Sequence, residues 1–307
     1  LLSFIVKRIF GIIPILLIVS VLSFMLIRLT PSDPIRIIYG NDLDKATYEK
    51  YRALEGFDDH VVVQYGRYLW NIVSQGDFGK SYRTKSDVAG QLMERGWSTA
   101  VLTMVAMGWA ILFGLLAGII SATKRNTIWD RIGMVSTITA LSVPEFWFGM
   151  VLVQVFSVQL GWLPSGGAGT WKHLLLPSLT LGLGVAAVIA RFTRASVLEV
   201  LREDYVRTAR AKGQKERVVV WSHVLRNALI PVVTMTGLQF GFLIGGASVV
   251  ESVFAYPGLG ALLVDSISSR DYPVVQALIL LFSFQFLIVN LLVDISYGLL
   301  NPQIRYD

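Results

Sequence analysis

Hydrophobic positions in this chain fall into long runs separated by polar stretches. A helix crossing a bilayer needs ~20 mostly apolar residues, with its backbone groups bonded inside the segment. Runs of that kind cover 9–29, 99–123, 132–160, 174–194, 228–250 and 273–297. They predict an all-α polytopic membrane protein with about six transmembrane helices. The first run, preceded by Lys7 and Arg8, resembles a signal sequence. It is long for an h-region and lacks a clear A-x-A site, so it reads as a retained first span. The third run is long and holds Pro144, which predicts a kink or a broken helix.

Two polar segments interrupt the pattern. The first, 30–98, is too long for a plain loop. In it Val61, Tyr65, Tyr68, Leu69, Ile72 and Val73 recur at helical spacing. They predict a helix lying on a membrane surface or over the mouth of a pathway. Gly76-Asp77-Phe78-Gly79 then reads as a turn. Gly79-Lys80-Ser81 imitates the end of a phosphate-binding loop, but that motif needs a glycine where Ser74 stands, and no strand-to-helix pattern surrounds it. The second segment, 195–227, is strongly charged. Residues 199–212 are helix-permissive and Gly213 interrupts them, so a glycine joint between two short helices is expected. Lys and Arg just before the joint suit a helix C-terminus. Such a knob is more than a connecting loop requires.

Composition agrees with lipid as the solvent. Hydrophobic residues make up 54% and charged residues 16%, and mean hydropathy is +0.59. A soluble domain carries about 25% charge. The net charge of +6 is explained by its placement. Lys7, Arg8, Lys124, Arg125, Arg131, Arg191, Arg194, Arg305 and the basic residues of 195–227 fall on one side, whereas the two short opposite loops hold Lys172 and Arg270. Segment 30–98 is nearly balanced in sign. By the positive-inside rule both termini are expected in the cytoplasm, and the basic charge serves topology and not nucleic acid. The expected organisation is 1–30 as the N-terminus and first span, 31–98 as a periplasmic segment with short helices, and 99–307 as the core, with 195–227 its cytoplasmic loop. The chain has no cysteine, so thiol chemistry and Cys-zinc sites are excluded. His60, His173 and His223 are dispersed and form no paired metal ligands.

The charged loop carries a resemblance. Arg207-Thr208-Ala209, three further residues and Gly213 are similar to the EAA motif of ABC importer permeases, with the glutamate replaced and Pro231 placed late. These departures are similar to the dipeptide/oligopeptide/nickel branch, as are Asp204 to Gly213 and His223 to Thr234. Phe192-Thr193-Arg194-Ala195-Ser196, Pro257-Gly258-Leu259-Gly260, Asp271-Tyr272-Pro273-Val274-Val275-Gln276 and Asn301-Pro302-x-Ile304-Arg305 extend the match along the chain. Residues 155–164 and 237–243 most resemble the glutathione-importing permeases of that branch. The resemblance implies a type I ABC importer permease fold in the bacterial inner membrane, with no catalysis in this chain. It implies a second permease subunit forming a heterodimer, two cytoplasmic ATPase subunits and an external, periplasmic or lipid-anchored substrate-binding protein. No cofactor is expected here, since ATP and Mg would be bound by the ATPases. The ATPase-coupling residues it implies are Asp204, Tyr205, Arg207, Thr208, Ala209, Arg210, Ala211, Lys212 and Gly213.

Other residues are candidates on physical grounds. Gly237, Gly241 and Gly245 share one helix face, where small side chains let helices approach, within this chain or across the subunit interface. Glu145 lies inside the third run, and an intramembrane acid usually faces a cavity or a partner, so it could meet solute. Glu251 at the end of the fifth run could belong to an outer gate, and Asp294 reads as an anchor near the end of the sixth. The alternative function, an ATP-independent secondary transporter or channel, predicts internal repeats and midplane charges. An intramembrane hydrolase predicts a nucleophile with its base. Neither pattern is evident, and the charged loop favours a docking partner.

Overall fold

The computed structural model describes residues 2–29, 33–40 and 42–300. In chain order its helices are α1 (Leu2–Leu29), α2 (Pro34–Tyr39), α3 (Lys45–Leu54), α4 (Val61–Gln75), α5 (Val88–Thr123), α6 (Ile128–Ser142), α7 (Glu145–Leu152), α8 (Lys172–Val200), α9 (Asp204–Ala211), α10 (Glu216–Val218), α11 (Leu225–Val253), α12 (Leu259–Ser268) and α13 (Tyr272–Leu300). π-helical turns over Val153–Gln159 and Val219–Val224 extend α7 and join α10 to α11. No strand is present among the described residues, because a membrane segment that must satisfy its own backbone forms a helix. The motif 301–305 lies outside the described residues.

Every predicted run but the third lies within one helix. Val88–Thr123, Lys172–Val200, Glu216–Leu243 and Tyr272–Ile295 are each long and apolar enough to cross a membrane. The first run lies in the 28-residue α1, whose apolar stretch is Phe10–Met25. The third run departs from a single span over 132–160. It is two helices, Ile128–Ser142 and Glu145–Gln159, bent by 102°. Pro144 lacks an amide hydrogen and forces Val143 into extended backbone, so the helix must stop and restart. The helix expected over 199–212 is also divided. Glu199 stays in α8, and α9 begins separately at Asp204. Helix α12 has no counterpart in the predicted spans, being too short to register as one.

Helix α5 is the spine. At 36 residues it is about 54 Å long at ~1.5 Å per residue. Three apolar clusters lie along it. Val88 and Leu92 pack with Leu259, Leu262 and Leu278 at one end. Leu102, Ala106 and Ala110 pack with Leu181, Ile189 and Val250 in the middle. Ala122 packs with Val197, Val206 and Val224 at the other end. The α5–α8 seam is close because it lacks side chains: a Cβ at Gly118 would stand 2.6 Å from the Ala190 carbonyl oxygen, and one at Gly182 would stand 2.6 Å from the Trp109 ring. Helix α1 runs antiparallel to α13, with Gln276 donating to the Ser23 carbonyl at 3.4 Å near one end. Arg8 pairs with Asp294 at 3.0 Å near the other, which gives Asp294 its anchor.

Candidate coupling site and solute face

Helix α9 is two-faced, and its partners explain why. Val206 and Ala209 are buried against Val197, Val219, Val220, Val224 and Ala228, where the ends of α5, α8 and α11 converge. Asp204, Tyr205, Arg207, Thr208, Arg210, Ala211, Lys212 and Gly213 are exposed. Burying one Val side chain contributes roughly 1.5–3 kcal/mol, so Val206 is the chief anchor of this short helix. Asp204 starts the helix, where a negative charge suits the dipole. Thr208 Oγ1 donates to the Asp204 carbonyl at 2.9 Å, and Arg207 reaches the Asp204 carboxylate at 3.5 Å.

The joint that follows is held by side chains from both flanks. Gly213 has φ +77, a left-handed conformation that glycine adopts without strain. Its N–H donates to the Arg210 carbonyl at 2.9 Å. Arg210 forks onto Glu216 with bonds of 3.0 and 2.6 Å, and that carboxylate holds the guanidinium above its ordinary value. His223 and Gln214 share a 2.8 Å bond, and Asn227 donates to the Tyr205 hydroxyl at 2.8 Å. Glu216 and Gln214 escape a reading by motif, although the spacing of Arg210 and Glu216 around a glycine turn is a usable signal, and Asn227 lies within the matched stretch His223 to Thr234.

A buried brace stands behind α9. Asp130, 4% exposed, accepts two bonds from Arg194 at 2.7 and 2.9 Å, one from Ser121 Oγ at 2.5 Å and one from the Asn126 N–H at 3.0 Å. It clamps α6 and the end of α5 to α8. Asp130 belongs to no motif, yet it is an acid set among the basic residues Lys124, Arg125 and Arg131.

The other candidates separate. Glu251 is fully buried and accepts from Thr99 Oγ1 at 2.6 Å, the Gly260 N–H at 2.7 Å and the Ala261 N–H at 3.0 Å. Thr99 in turn accepts the Leu259 N–H at 2.8 Å. Glu251 therefore caps α12 and binds it to α5 and α11. Glu145 is exposed at the start of α7, beside Phe146 and Trp147, with no hydrogen bond or ion pair among the described residues. A Cβ on Gly184 would lie 3.8 Å from its carboxylate. Gly237 and Gly241 face α13: a Cβ on the first would collide with Val293, and one on the second would stand 3.3 Å from Phe286. Gly245 has nothing within 4 Å and is exposed. The imitation phosphate loop does structural work, since Ser81 donates to Asp271 and the Tyr82 N–H reaches the same carboxylate at 2.9 Å. Among the described residues no three His, Asp or Glu side chains gather as a metal site.

Several apolar spans, one of them broken, together with a detached amphipathic helix on the converging span ends, define a multi-pass membrane transport subunit. Residues 114–306 match the family of binding-protein-dependent transport system inner membrane components, and residues 1–103 match its N-terminal family. The chain belongs to this family, and is the non-catalytic permease subunit of an ATP-driven importer in the inner membrane. It is 55% identical over 305 residues to a protein of Pectobacterium atrosepticum named glutathione transport system permease protein GsiC, with 99% of each chain covered. It is 54% identical to the protein of that name from Escherichia coli K12, again with 99% of each covered. Among solved structures, an inward-facing MetNI methionine ABC transporter chain matches with a TM-score of 0.57 at 19% identity, covering 68% of this chain and 96% of that one. An amino acid ABC transporter chain matches with a TM-score of 0.56 at 15% identity, covering 67% and 92%. These two show a shared fold. Membership implies in general a partner permease, ATPase subunits and a substrate-binding protein.

Proposed function

We propose that this chain is one half of the membrane pathway of an importer for glutathione or similar small peptides. A different permease forms the other half, and two ATPases that bind ATP and Mg grip α9 and its Gly213 joint. The observation that carries the coupling assignment is the two-faced seat of α9. Its apolar side is spent inside the chain, and its polar side, with Tyr205, Arg207 and Lys212, is left open. A stiff element of this kind can be pushed as a unit. The excess of Lys and Arg at the α9 end supports a cytoplasmic position for it. The peptide assignment rests on the names of the relatives at 54–55% identity.

Of the two acids, Glu145 is the pathway candidate and Glu251 the structural one. Glu145 offers a carboxylate unpaired among the described residues on an open face, suited to the ammonium group of a peptide, whereas the Glu251 carboxylate is taken up by Thr99 of α5 and two N–H groups of α12. Gly245 offers a flat patch for the second permease.

The test is purification of the chain from mild detergent, identification of what accompanies it, and uptake of labelled glutathione by the reconstituted complex. Recovery of a second permease and P-loop ATPases, with ATP-dependent uptake, is expected. Movement of solute by the chain alone without ATP would replace this reading with a secondary transporter.

A further inference from the structure

Helix α4 belongs to the segment between the first two spans, where a surface helix or a cover over a pathway is expected. Its contacts place it elsewhere. Arg28 donates to the Gln64 side chain near the start of α4. Phe24 meets the rings of Tyr65 and Tyr68 at 5.2 and 5.6 Å, and Ser20 shares a 2.7 Å bond with the Tyr65 hydroxyl. Farther along, Leu69, Ile72 and Val73 line a groove of about 320 Å³ with Leu16, Leu17 and Leu281. As α4 advances, its partners on α1 recede from Arg28 toward the N-terminus. The two helices are antiparallel neighbours.

The depth follows from the register. From Arg28 to Leu16 along α1 is about 18 Å at ~1.5 Å per residue. Arg28 marks one end of the apolar stretch of α1, and the Arg8–Asp294 pair marks the other. Along α4 itself, Gln64 beside Arg28 to Val73 in the groove is about 13.5 Å at ~1.5 Å per residue, which reaches close to the middle of a hydrocarbon layer ~30 Å thick.

The outer face of α4 suits that depth. Val62, Gly66, Trp70 and Val73 recur at helical spacing and are exposed, and Val73, at the lip of the groove, is 82% exposed. The neighbouring spans also expose apolar side chains, Ile18 and Leu22 on α1 and Phe284 on α13, and Phe284 lines the groove with Val73. The only charge in α4, Arg67, bonds Asp59 at 2.6 Å near the Arg28 end. Among the described residues the one polar side chain lining the groove, Ser20, is the residue that bonds Tyr65. In the turn below α4, the Asp77 carboxylate accepts the Gly79 N–H at 2.7 Å. An apolar groove and an apolar outer face continuous with membrane spans fit acyl chains, and offer nothing to a polar solute.

We propose that α4 is a re-entrant membrane helix, inserted beside α1 with its Trp70–Val73 face against phospholipid acyl chains. The chain has no cysteine, so single cysteines can be introduced directly. Val73→Cys and Trp70→Cys would be spin-labelled in the assembled transporter in phospholipid vesicles, with the unsubstituted chain labelled in parallel. Leu22→Cys on α1 serves as the lipid reference and exposed Lys50→Cys on α3 as the aqueous one. The expected result is high access to oxygen and loss of access to a water-soluble nickel chelate at both α4 positions, as at Leu22→Cys. Nickel access equal to that of Lys50→Cys overturns the proposal. Shielding from both reagents, the mark of cover by another protein chain, overturns it too. The readout is independent of transport, so it stands apart from the solute and the coupling partner.

Discussion

Replacing Gly213 is expected to impair coupling through backbone conformation and not through bulk. At φ +77 an L-residue brings its Cβ close to its own backbone, and the cost is about 1–2 kcal/mol. Asparagine tolerates the region best, and a β-branched residue is a genuine outlier there. A Cβ at this position would meet nothing within 4 Å, so the space for a side chain is free. The strain is comparable to the roughly 1.5–3 kcal/mol with which burial of Val206 seats α9. It is therefore large enough to displace the joint, pulling Glu216 from Arg210 and Gln214 from His223. A shift of ~2 kcal/mol changes a two-state ratio up to about 30-fold. The assay is solute transported per ATP hydrolysed in proteoliposomes, for Gly213→Asn, Gly213→Ala and Gly213→Val, with membrane insertion as the control. Coupling should be near normal for Asn, lower for Ala and lowest for Val. If Asn were as damaging as Val, size would be the cause and the reasoning would fail; if Val behaved as glycine, the joint would not be strained at all.

Four further perturbations follow from the geometry. Asp130→Ala leaves the Arg194 charge without its buried partner and should cost about 3–5 kcal/mol in thermal or denaturant unfolding in detergent, whereas the double replacement Asp130→Leu with Arg194→Met should recover part of that loss. Glu251→Ala strands the N–H groups of Gly260 and Ala261 at about 1–3 kcal/mol each; hydrogen exchange over 259–262 should accelerate, and less so in Glu251→Gln, while unchanged exchange would refute the cap. Gly118→Leu, which would meet Ala190 and Thr193, should reduce the yield of folded chain. Gly245→Leu, with open space around it, should leave the chain folded and weaken only its association with the second permease, read by size-exclusion chromatography.

Much of the fold was legible because lipid imposes one rule on every spanning segment, so long apolar runs at 99–123, 174–194, 228–250 and 273–297 had to be helices. Gly213 was legible for a similar reason, since it interrupts a helix-permissive stretch with the residue that adopts φ > 0 at no cost. What stayed hidden depends on tertiary contact. Asp130 and Arg194 are distant in sequence and meet only after α5, α6 and α8 pack. Glu251 reads as a stray acid at a helix end until the N–H groups of α12 are seen to converge on it. The glycine set chosen from spacing, 237, 241 and 245, divides between α13 and open surface. The α5–α8 seam uses Gly114, Gly118 and Gly182, where the contact rather than the spacing identifies the role. The stripe of α4 was visible, but its antiparallel register with α1 was not.

The position of the rigid parts predicts where the molecule bends. Helix α9 rests on the converging ends of α5, α8 and α11, and α5 and α8 touch backbone to side chain through Gly114, Gly118 and Gly182. At the far end Thr99 and Glu251 fasten α5 and α11 to α12. A push on α9 should thus carry α12 with it, since no loose element lies between them. The broken third span is divided between the two ends. Arm α6 is clamped at the α9 end through Asp130 and Arg194, whereas arm α7 lies against Phe254 and Thr180, with a Cβ on Gly149 only 3.1 and 3.2 Å from them. Any change in shape should therefore concentrate at Val143 and Pro144, where no helical hydrogen bonds cross the bend. Paired spin labels test this in the assembled transporter. The distance between Arg217→Cys and Ser268→Cys should be the same with and without ATP, while that between Trp129→Cys on α6 and Trp147→Cys on α7 should shift. A shift of several ångströms in the first pair with none in the second would refute the rigid spine, and coupling would then have to travel through bending of α5 and α8 themselves.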